Sequence, residues 1–432
     1  MAGLFRKRIF SVLQTLLKTW LRLVLLLPII VLAACVTEKA PSGVPQNLKV
    51  TPGDGRVTLT WEEDPSLVYW VFSAQNDKIT PDNYKDYPDS RLTWPARPGV
   101  VISGLTNDKI YAFTINTTKS GSPSGPAAES VAATPRPSGD SWAAGAPAGT
   151  TNLNALISVN GTLVTAGDGG ALYSATKGDI WKKLDAGTGF TNNLRGLVYD
   201  TVQLIAVGEG GLARISSNFL TDTPTWKVTT TNTPAQLNSV AYGASTYVAV
   251  GAGGVIVSGV GATDATTTPA SATITWTLRT SGVMDNLNKV VYLNSQFVAL
   301  GDAGTILTSP DGITWTKQVS TTNVPLRDIA MVLVDKKPNY LAVGGAGTIL
   351  RSTNLILWTS EASGTALDLN AIAVTVGSRT VIAGVKGTIL YGTGSTTWTA
   401  KTTGLDPDVT ALVSSNGGYI GVGPSGSNAH AY

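Results

Sequence analysis

Short runs of alternating apolar and polar residues dominate the chain after residue 40. Between residues 44 and 134 about seven such runs, among them RVTLTWE and KIYAFTINTT, are separated by turn signals. From residue 153 onwards a longer pattern recurs: an opening Leu, a run ending in AVG, a Gly-rich turn, a TIL-type run and a run headed by Trp. Both patterns predict short strands, so we expect an all-β protein.

The longer pattern predicts a seven-bladed β-propeller over residues 141–432. Its openings are spaced by roughly 40–50 residues, the period of a four-stranded blade. They fall at Leu153, Leu194, Leu237, Leu287, Leu326, Leu369 and Val409. Six repeats contain the Trp-headed run, at Trp181, Trp226, Trp276, Trp315, Trp358 and Trp398. The seventh lacks it, whereas Trp142 precedes the first repeat. We therefore expect the strand at Trp142 to complete the last blade as its outer strand, which removes an open sheet edge.

Residues 44–134 are expected to form an immunoglobulin-like sandwich. The segment resembles a fibronectin type III module. VPQNLKV is similar to the first strand of that module, Trp61 to its core tryptophan, and the pair Leu105 and Tyr111 to its Leu-x5-Tyr corner. The resemblance implies a fold and a spacer or adhesive role, and no activity.

Two further features concern this part of the chain. Trp70 and Trp94 are interpreted as packing side chains, and the alternative is a surface platform for carbohydrate. Residues 135–140 are rich in Pro and Gly and are expected to be a stiff linker before the repeats.

Charge and composition narrow the function classes. Five of the 31 basic residues and none of the acids precede residue 35, which leaves 26 bases against 28 acids in the rest of the chain. No basic stripe is visible, so a nucleic-acid partner is not expected. The chain has one cysteine and one histidine, which rules out an internal disulfide and a Cys/His zinc site. We expect neither a cofactor nor a metal.

The start of the chain is predicted to be a targeting segment. The basic stretch MAGLFRKRIF precedes an apolar run, Leu23–Leu32, that is short for a membrane span. The run leads into LAAC, which resembles the lipobox of bacterial lipoproteins. The resemblance implies a signal peptide at residues 1–34, an acylated Cys35 and a tether over residues 35–43. Val36, where a retention signal would have Asp, favours the outer membrane if the organism has one; the alternative is an uncleaved membrane helix.

The phrase LGDAGTILTSPDGITWT carries a second resemblance. It is similar to the blade signature of the photosystem II stability/assembly factor family and of the wider sialidase-like group with Asp-box repeats. The resemblance covers about residues 141–432 and implies a propeller scaffold. Asp311 lies in a box one residue shorter than usual, and the other repeats lack that aspartate, so the scaffold transfers better than the family's function.

Polar side chains recur where each repeat opens and at its Gly-rich turn, two positions that share one face of a propeller. The openings are expected to form a polar recognition ring of Asn154, Arg195, Asn238, Asn288, Arg327 and Asn370. The turns are expected to add Asp168, Glu209 and Asp302 to that face. The two arginines fall where the assembly-factor family carries arginines that contribute to binding a protein chain, and an arginine fork suits a carboxylate. The alternative is that these side chains only hydrogen-bond neighbouring blades.

Three function classes are compared. The first is a monomeric, lipid-anchored, non-catalytic binding or assembly protein of the cell envelope that engages a protein or a glycan. The second is a sialidase-like glycan-cleaving enzyme, which needs three arginines, a Tyr–Glu pair and an aspartic acid. The repeats contain arginines at Arg195, Arg214, Arg279, Arg327, Arg351 and Arg379, but only two glutamates, Glu209 and Glu361. The third, quinone- or metal-dependent dehydrogenase chemistry, lacks the histidines and acidic cluster that it requires. We expect the first class.

Overall fold

A computed structural model describes residues 39–119, 124–137, 139, 141–187, 189–264, 271–375, 379–393, 396–401 and 407–431. The chain divides after Pro135 into two compact units. Strands and three-residue 3-10 turns are the regular elements of the described residues, and none of these turns has the length or apolarity to cross a bilayer. The predicted signal peptide, residues 35–38 of the predicted tether with Cys35, and Ser138 and Asp140 of the predicted linker lie outside the described residues.

The first unit is a sandwich of two antiparallel sheets. Its strands are β1 (Lys49–Gly53), β2 (Arg56–Thr60), β3 (Val68–Ala74), β4 (Arg91–Ala96), β5 (Val100–Ser103), β6 (Tyr111–Thr118) and β7 (Val131–Ala133), with a 3-10 turn at Tyr84–Asp86. One sheet has the order β1-β2-β5 and the other the order β4-β3-β6-β7. Alternate residues such as Val57 and Leu59 point into a core shared by both sheets, because successive side chains of a strand point to opposite faces.

Two aromatic features of the first unit correspond to positions singled out in the sequence. Tyr111 is fully buried; its hydroxyl accepts a hydrogen bond from the Thr106 amide (3.1 Å) and donates one to Asp89 (2.7 Å). The bond from Tyr111, together with the one from Arg91, lowers the pKa of Asp89. Trp70 and Trp94 stack with ring centroids 4.9 Å apart, and Trp94 stays 54% exposed. Trp70 therefore packs, while Trp94 presents one face to solvent.

The second unit begins with a two-residue strand, β8 (Ala143–Ala144), and continues through 27 strands to residue 431. The strands of its first three repeats are β9 (Leu153–Val159), β10 (Thr162–Gly167), β11 (Leu172–Ala175), β12 (Lys182–Lys183), β13 (Leu194–Tyr199), β14 (Leu204–Gly208), β15 (Leu212–Ser216), β16 (Lys227–Thr230), β17 (Leu237–Gly243), β18 (Thr246–Gly251), β19 (Ile256–Asp264) and β20 (Ser271–Arg279).

The later strands repeat the same order. They are β21 (Leu287–Leu293), β22 (Gln296–Gly301), β23 (Ile306–Ser309), β24 (Thr316–Lys317), β25 (Leu326–Val334), β26 (Lys337–Gly344), β27 (Ile349–Ser352), β28 (Thr359–Glu361), β29 (Leu369–Val374), β30 (Thr380–Gly384), β31 (Ile389–Gly392), β32 (Thr399–Lys401), β33 (Ala411–Ser415), β34 (Gly418–Val422) and β35 (Asn428–Ala431). Six 3-10 turns join second to third strands, at Asp168–Gly170, Glu209–Gly211, Ala252–Gly254, Asp302–Gly304, Gly345–Gly347 and Pro424–Gly426.

These strands form seven antiparallel sheets of four strands each. Six sheets use four consecutive strands, and the seventh has the order β33-β34-β35-β8. The first strand of each sheet contacts the first strand of the next, and β33 contacts β9. Seven hydrophobic clusters separate the sheets, each built from two neighbours, and the last joins the seventh sheet to the first. The first strands thus surround a common centre.

The glycine that ends each AVG run is required by the close approach of two strands. The second strand ends in Gly where its backbone passes under the start of the first strand of the same sheet. At Gly208 a Cβ atom would lie 2.0 Å from the Asn193 carbonyl oxygen, so only a residue without a side chain fits. The same close approach recurs at Gly167 and Gly251. This contact brings the turn after the second strand next to the opening residues of the sheet.

The strand at Trp142 belongs to the last sheet. Ala143 and Ala144 pair with His430 and Ala429, and the Asn428 side chain donates a hydrogen bond to the Ala146 carbonyl (2.6 Å). The indole of Trp142 donates to a carbonyl three residues earlier (3.1 Å), a bond that Trp181 also makes. A segment that precedes the first repeat therefore occupies the position of a repeat's fourth strand.

Candidate functional site

The six predicted ring residues line one central cavity of about 370 Å3. Thr410, at the equivalent position of the seventh sheet, lines it as well and was not predicted. Each of the six is half-buried and lies directly after the Leu that opens its sheet. The residues that the sequence predicts are Asn154, Arg195, Asn238, Asn288, Arg327 and Asn370.

A backbone irregularity directs these side chains. In each of the first six sheets the pairing between the first two strands skips the residue after the opening Leu: Leu194 pairs with Gly208, and Gly196 with Val207, which leaves Arg195 unpaired. The five other sheets skip Asn154, Asn238, Asn288, Arg327 and Asn370 in the same way. Such a bulge re-aims a side chain relative to the sheet, which explains why polar residues lie at the mouth of an apolar fold.

Five of the seven ring positions bind the neighbouring sheet. Their side chains donate a hydrogen bond to the carbonyl of the residue that opens the next sheet, at 2.5–3.0 Å. The donors are Asn154, Asn238, Asn288, Asn370 and Thr410. The four asparagines therefore do both things that were expected from the sequence as alternatives: they line the cavity, and they hydrogen-bond the neighbouring repeat.

Two of the predicted turn carboxylates also accept hydrogen bonds from other side chains of the protein. Asp168 accepts hydrogen bonds from Asn154 (2.8 Å) and Asn152 (3.0 Å). Asp302 accepts equivalent bonds from Asn288 and Asn286, both at 2.9 Å. These carboxylates belong to the face that carries the ring, but they are tied to it and are less available to a ligand.

Arg327 is neutralised by its neighbour. Its guanidinium donates to the Asp368 carboxylate (2.8 Å) and to the Asn370 side-chain oxygen (2.6 Å). Asp368 also accepts from the Ala346 amide, and this bond and the one from Arg327 lower its pKa. Asp368 was not identified from the sequence, although it stands two residues before a ring position, where Asn152 and Asn286 stand in their sheets.

Arg195 differs from every other ring residue. Within the described part of the chain its side chain makes no hydrogen bond and no ion pair, and its Nε atom is buried without a partner. It lines both the cavity and the wider mouth above it. Burying an N–H donor without an acceptor costs free energy, so the site favours a ligand that supplies an acceptor.

Glu209, the third predicted turn residue, is exposed and has no partner among the described residues. It lies at the end of the strand that pairs with the strand of Arg195. Lys386, at the turn of the sixth sheet, is exposed as well, and its amide donates to Asp408. Among the described residues, the mouth therefore carries one cation in its ring, Arg195, and charges at two of its turns, Glu209 and Lys386, whose side chains have no partner.

Below the ring lies an ion pair that sequence reasoning missed. Lys289 and Asp328 line the same cavity, with their charged atoms 2.9 Å apart. Asp328 is buried and also accepts hydrogen bonds from the Ile329 and Ile372 amides. Both residues directly follow ring positions, and this place in the repeat was a signal that could have identified them.

The comparisons with known proteins concern the fold. No protein-family model and no curated protein matches the chain. Among solved structures, YCF48 bound to D1 peptide superposes with a TM-score of 0.55 at 14% identity, over 68% of this chain and 96% of that one. YCF48 from Cyanidioschyzon merolae gives 0.50 at 13% identity, over 68% and 98%. A chain of the mitotic checkpoint complex gives 0.52 at 10% identity, over 68% and 93%.

The four-stranded sheets and these superpositions together identify the architecture of the second unit. The second unit is a β-propeller. The propeller has the scaffold that the sequence resemblance to the photosystem II assembly factors implied. At such identities the likeness extends to the fold alone, so the chemistry of the mouth has to be argued from this chain's own residues.

The arginines of the propeller do not converge on one catalytic pocket. Of the six in the repeats, only Arg195 and Arg327 line the cavity. Arg214 lies over the Phe190 ring at 4.1 Å, and Arg351 forms an ion pair with Glu361 between β27 and β28. Among the described residues no group of three His, Cys, Asp or Glu side chains is placed to hold a metal.

The turn that Asp311 forms in the short Asp box also occurs without an aspartate. Asp311 accepts hydrogen bonds from the Ile313 and Thr314 amides, which lowers its pKa. Asn354 accepts the corresponding pair of bonds in the next blade (both 3.0 Å). Asn218 accepts from the Thr225 amide in the second blade. The Asn354 amide oxygen thus closes the same kind of turn as Asp311, which a search for Asp alone does not detect.

Proposed function

We propose that this chain is a lipid-anchored, non-catalytic binding or assembly protein of the cell envelope, and that the mouth of its propeller holds a segment of a protein partner. Arg195 carries the proposal: it is a cation without a partner in a ring whose other members are all hydrogen-bonded. An arginine fork binds a carboxylate with two parallel hydrogen bonds. The presence of a D1 peptide on YCF48, a protein with a similar fold, supports a peptide segment as ligand.

We propose the following architecture for this function. The seven four-stranded sheets are seven blades, and the strand at Trp142 closes the ring as the outer strand of the last. Residues 44–134 are a fibronectin type III module, supported by the two-sheet topology and by the hydrogen bonds of the Tyr111 hydroxyl. Residues 135–140 link it to the propeller at 141–432.

We propose an anchor at the other end of the chain. Residues 1–34 are removed as a signal peptide, Cys35 carries the lipid, and residues 35–43 form the tether. Several acyl chains would hold the protein to the membrane, since each buried methylene contributes about 0.8 kcal/mol. The outer membrane is favoured by Val36 if the organism has one.

A photo-crosslinking experiment in the producing cells tests the binding role. Met284 is 92% exposed and follows Val283, whose carbonyl lies against the turn glycine Gly254 on the mouth face. A photo-reactive residue at position 284 should capture a partner. The same residue at Ile180, 77% exposed at the opposite end of the first blade, is the matched control.

Two variants assign the captured adduct to the ring. Arg195→Asn should abolish it, whereas Lys317→Ala, which removes an exposed cation from the outer strand β24, should leave it intact. Equal capture at both crosslinking positions, or capture that is indifferent to Arg195→Asn, contradicts the proposal. Digestion of the adduct with a protease or with glycosidases separates a protein partner from a glycan.

The sialidase-like enzyme remains the second candidate function from the sequence. The site gives it little support, because only two of its arginines reach the cavity and Arg327 is already paired. Release of a fluorogenic aglycone from a panel of glycosides by the purified protein would revive it.

A further inference from the structure

The hairpin of the second blade departs from the arrangement seen in two others. In the first and fourth blades the ring asparagine donates a hydrogen bond to the turn carboxylate of its own blade: Asn154 to Asp168 and Asn288 to Asp302. The second blade has Arg195 and Glu209 at these two positions. Its hairpin therefore carries a full positive and a full negative charge where the others carry a neutral amide and a carboxylate.

Neither charged side chain of this hairpin has a partner among the described residues. The side chains of Arg195 and Glu209 make no hydrogen bond or ion pair with any described residue. They flank a single pair of partner residues, Leu194 and Gly208, so they are near neighbours on one hairpin. Arg195 is half-buried at the cavity, and Glu209 is exposed at the rim.

The other cations of the ring and of the cavity below it have acidic partners. Arg327 is paired with Asp368, and Lys289 with Asp328. The remaining ring members are asparagines and a threonine, all hydrogen-bonded to the next blade. Lys386 is the other exposed charge of the turns, four blades further along the chain.

Asp168 and Asp302 keep their negative charges, because the asparagines that donate hydrogen bonds to them are neutral. Among the described residues of the ring, Arg195 is therefore the cation without an acidic partner, and Glu209 is the exposed carboxylate beside it.

We infer that the propeller selects a dipolar peptide segment, in which a carboxylate lies next to an ammonium or guanidinium group. The carboxylate binds Arg195 at the cavity, and the basic group binds Glu209 at the rim. This inference rests on the proposed function and adds the chemistry of its ligand. Glu209 is the specificity-determining residue: it repels an acidic run that Arg195 alone would accept, because like charges in an interface oppose the wrong partner.

Selection from a random-peptide display library tests the inference on the full chain. Peptides enriched by the wild type should contain Asp or Glu within a few residues of Lys or Arg. Arg195→Asn should lose the requirement for the acid. Glu209→Lys should lose the requirement for the base and select a second acid instead.

Synthetic peptides from the selection provide the quantitative arm. Replacing the peptide's base by Ala should weaken wild-type binding about tenfold, the effect of one close charge pair at an interface, and should leave the affinity of Glu209→Gln unchanged. Melting temperatures of both variants verify that the propeller stays folded.

The outcomes separate the inference from the function on which it rests. If the wild type enriches no peptide whose binding depends on Arg195, the proposed function fails and the inference fails with it. If Arg195-dependent peptides appear without a conserved base, or bind Glu209→Gln as tightly as the wild type, only the inference is wrong.

Discussion

Single residues of the ring differ in where their hydrogen bonds go. An asparagine reaches the carbonyl that opens the next blade and also has a second N–H for the turn carboxylate of its own blade, as Asn154 shows. Arg195 makes neither bond. We therefore expect Arg195 to stabilise the fold less than an asparagine would, as residues kept for function often do.

Arg195→Asn is expected to stabilise the propeller. The new amide should donate to the Leu237 carbonyl and to Glu209, in the manner of Asn154. A net gain of about 0.5–1.5 kcal/mol per hydrogen bond is typical. Denaturant unfolding measures it, with Arg195→Ala as the control that removes the cation without adding a donor. A stability of Arg195→Asn at or below that of Arg195→Ala would contradict this account.

A buried tyrosine gives a second residue-scale prediction. The Tyr340 hydroxyl is fully buried and has no hydrogen-bond partner among the described residues, and burial raises its pKa. The equivalent Tyr419 hydroxyl donates to the Arg379 carbonyl (2.7 Å), and Phe297 fills the equivalent place in the fourth blade. Tyr340→Phe should therefore leave stability unchanged or raise it by up to about 1 kcal/mol, whereas Tyr419→Phe should lower it by about 1 kcal/mol. Thermal and denaturant unfolding of both variants measures these changes in stability. Equal losses of stability in the two variants would contradict the prediction.

The ring could be predicted at this scale, and its hydrogen bonds could not. The opening phrase of each repeat fixes the six side chains at one position, so their convergence follows from the repeat. Their acceptors are backbone carbonyls of the next blade. Every residue has a backbone carbonyl, so the sequence does not show which one accepts. The neutralisation of Arg327 by Asp368 depends on a residue of another repeat and was missed for the same reason.

At the scale of elements, the strand β8 depends on close backbone approach. A Cβ atom on Gly145 would lie 2.0 Å from the Asn428 side-chain oxygen and 2.7 Å from the Gly178 carbonyl oxygen. The strand thus fits its groove only with glycine at this position.

Gly145→Ala is expected to loosen this strand. It should lower the melting temperature by several degrees and increase protease cleavage near Trp142, because overpacking of this kind costs about 1–3 kcal/mol. Gly43→Ala is the matched control, since a Cβ there meets nothing within 4 Å. Unchanged melting of Gly145→Ala would argue that β8 contributes little to the fold.

His430 pairs with Ala143 of β8 and makes this junction sensitive to pH. Burial lowers its pKa in the folded protein, only partly offset by Asp179. The unfolded chain binds the proton more readily than the folded one, so the contribution to stability is complete above the ordinary value of 6.5 and declines as pH falls below it. Unfolding free energies measured from about pH 7.5 to about pH 5 should show this slope, and His430→Gln should flatten it. A slope that persists in His430→Gln assigns it to other groups.

The element pattern was largely readable from the sequence. The tryptophans and AVG glycines recur because each solves the same packing problem in every blade, so a single chain displays its repeat. The β-bulges were not readable, since a skipped residue looks like any other in an alternating run. The Asn354 turn was missed because an amide oxygen can replace the carboxylate oxygen of Asp311.

At the scale of the whole molecule, the sequence predicts an anchor that precedes the described residues. Metabolic labelling with radioactive palmitate should mark the protein, and Cys35→Ser should abolish the label and shift the chain from the membrane fraction. The chain has no other cysteine, so the variant is unambiguous. Absence of label in the wild type, or undiminished label in Cys35→Ser, removes the lipoprotein assignment.

The bond between Asn428 and Ala146 spans 282 residues of chain. The strand β8 therefore has no mate until the chain has been synthesised as far as β35 (Asn428–Ala431). Until then the seventh sheet is incomplete, and its free border offers unpaired amides and carbonyls to any other chain. A message that stops before the codon for Asn428 would consequently yield a product prone to self-association or degradation, although the six sheets built from consecutive strands would be intact.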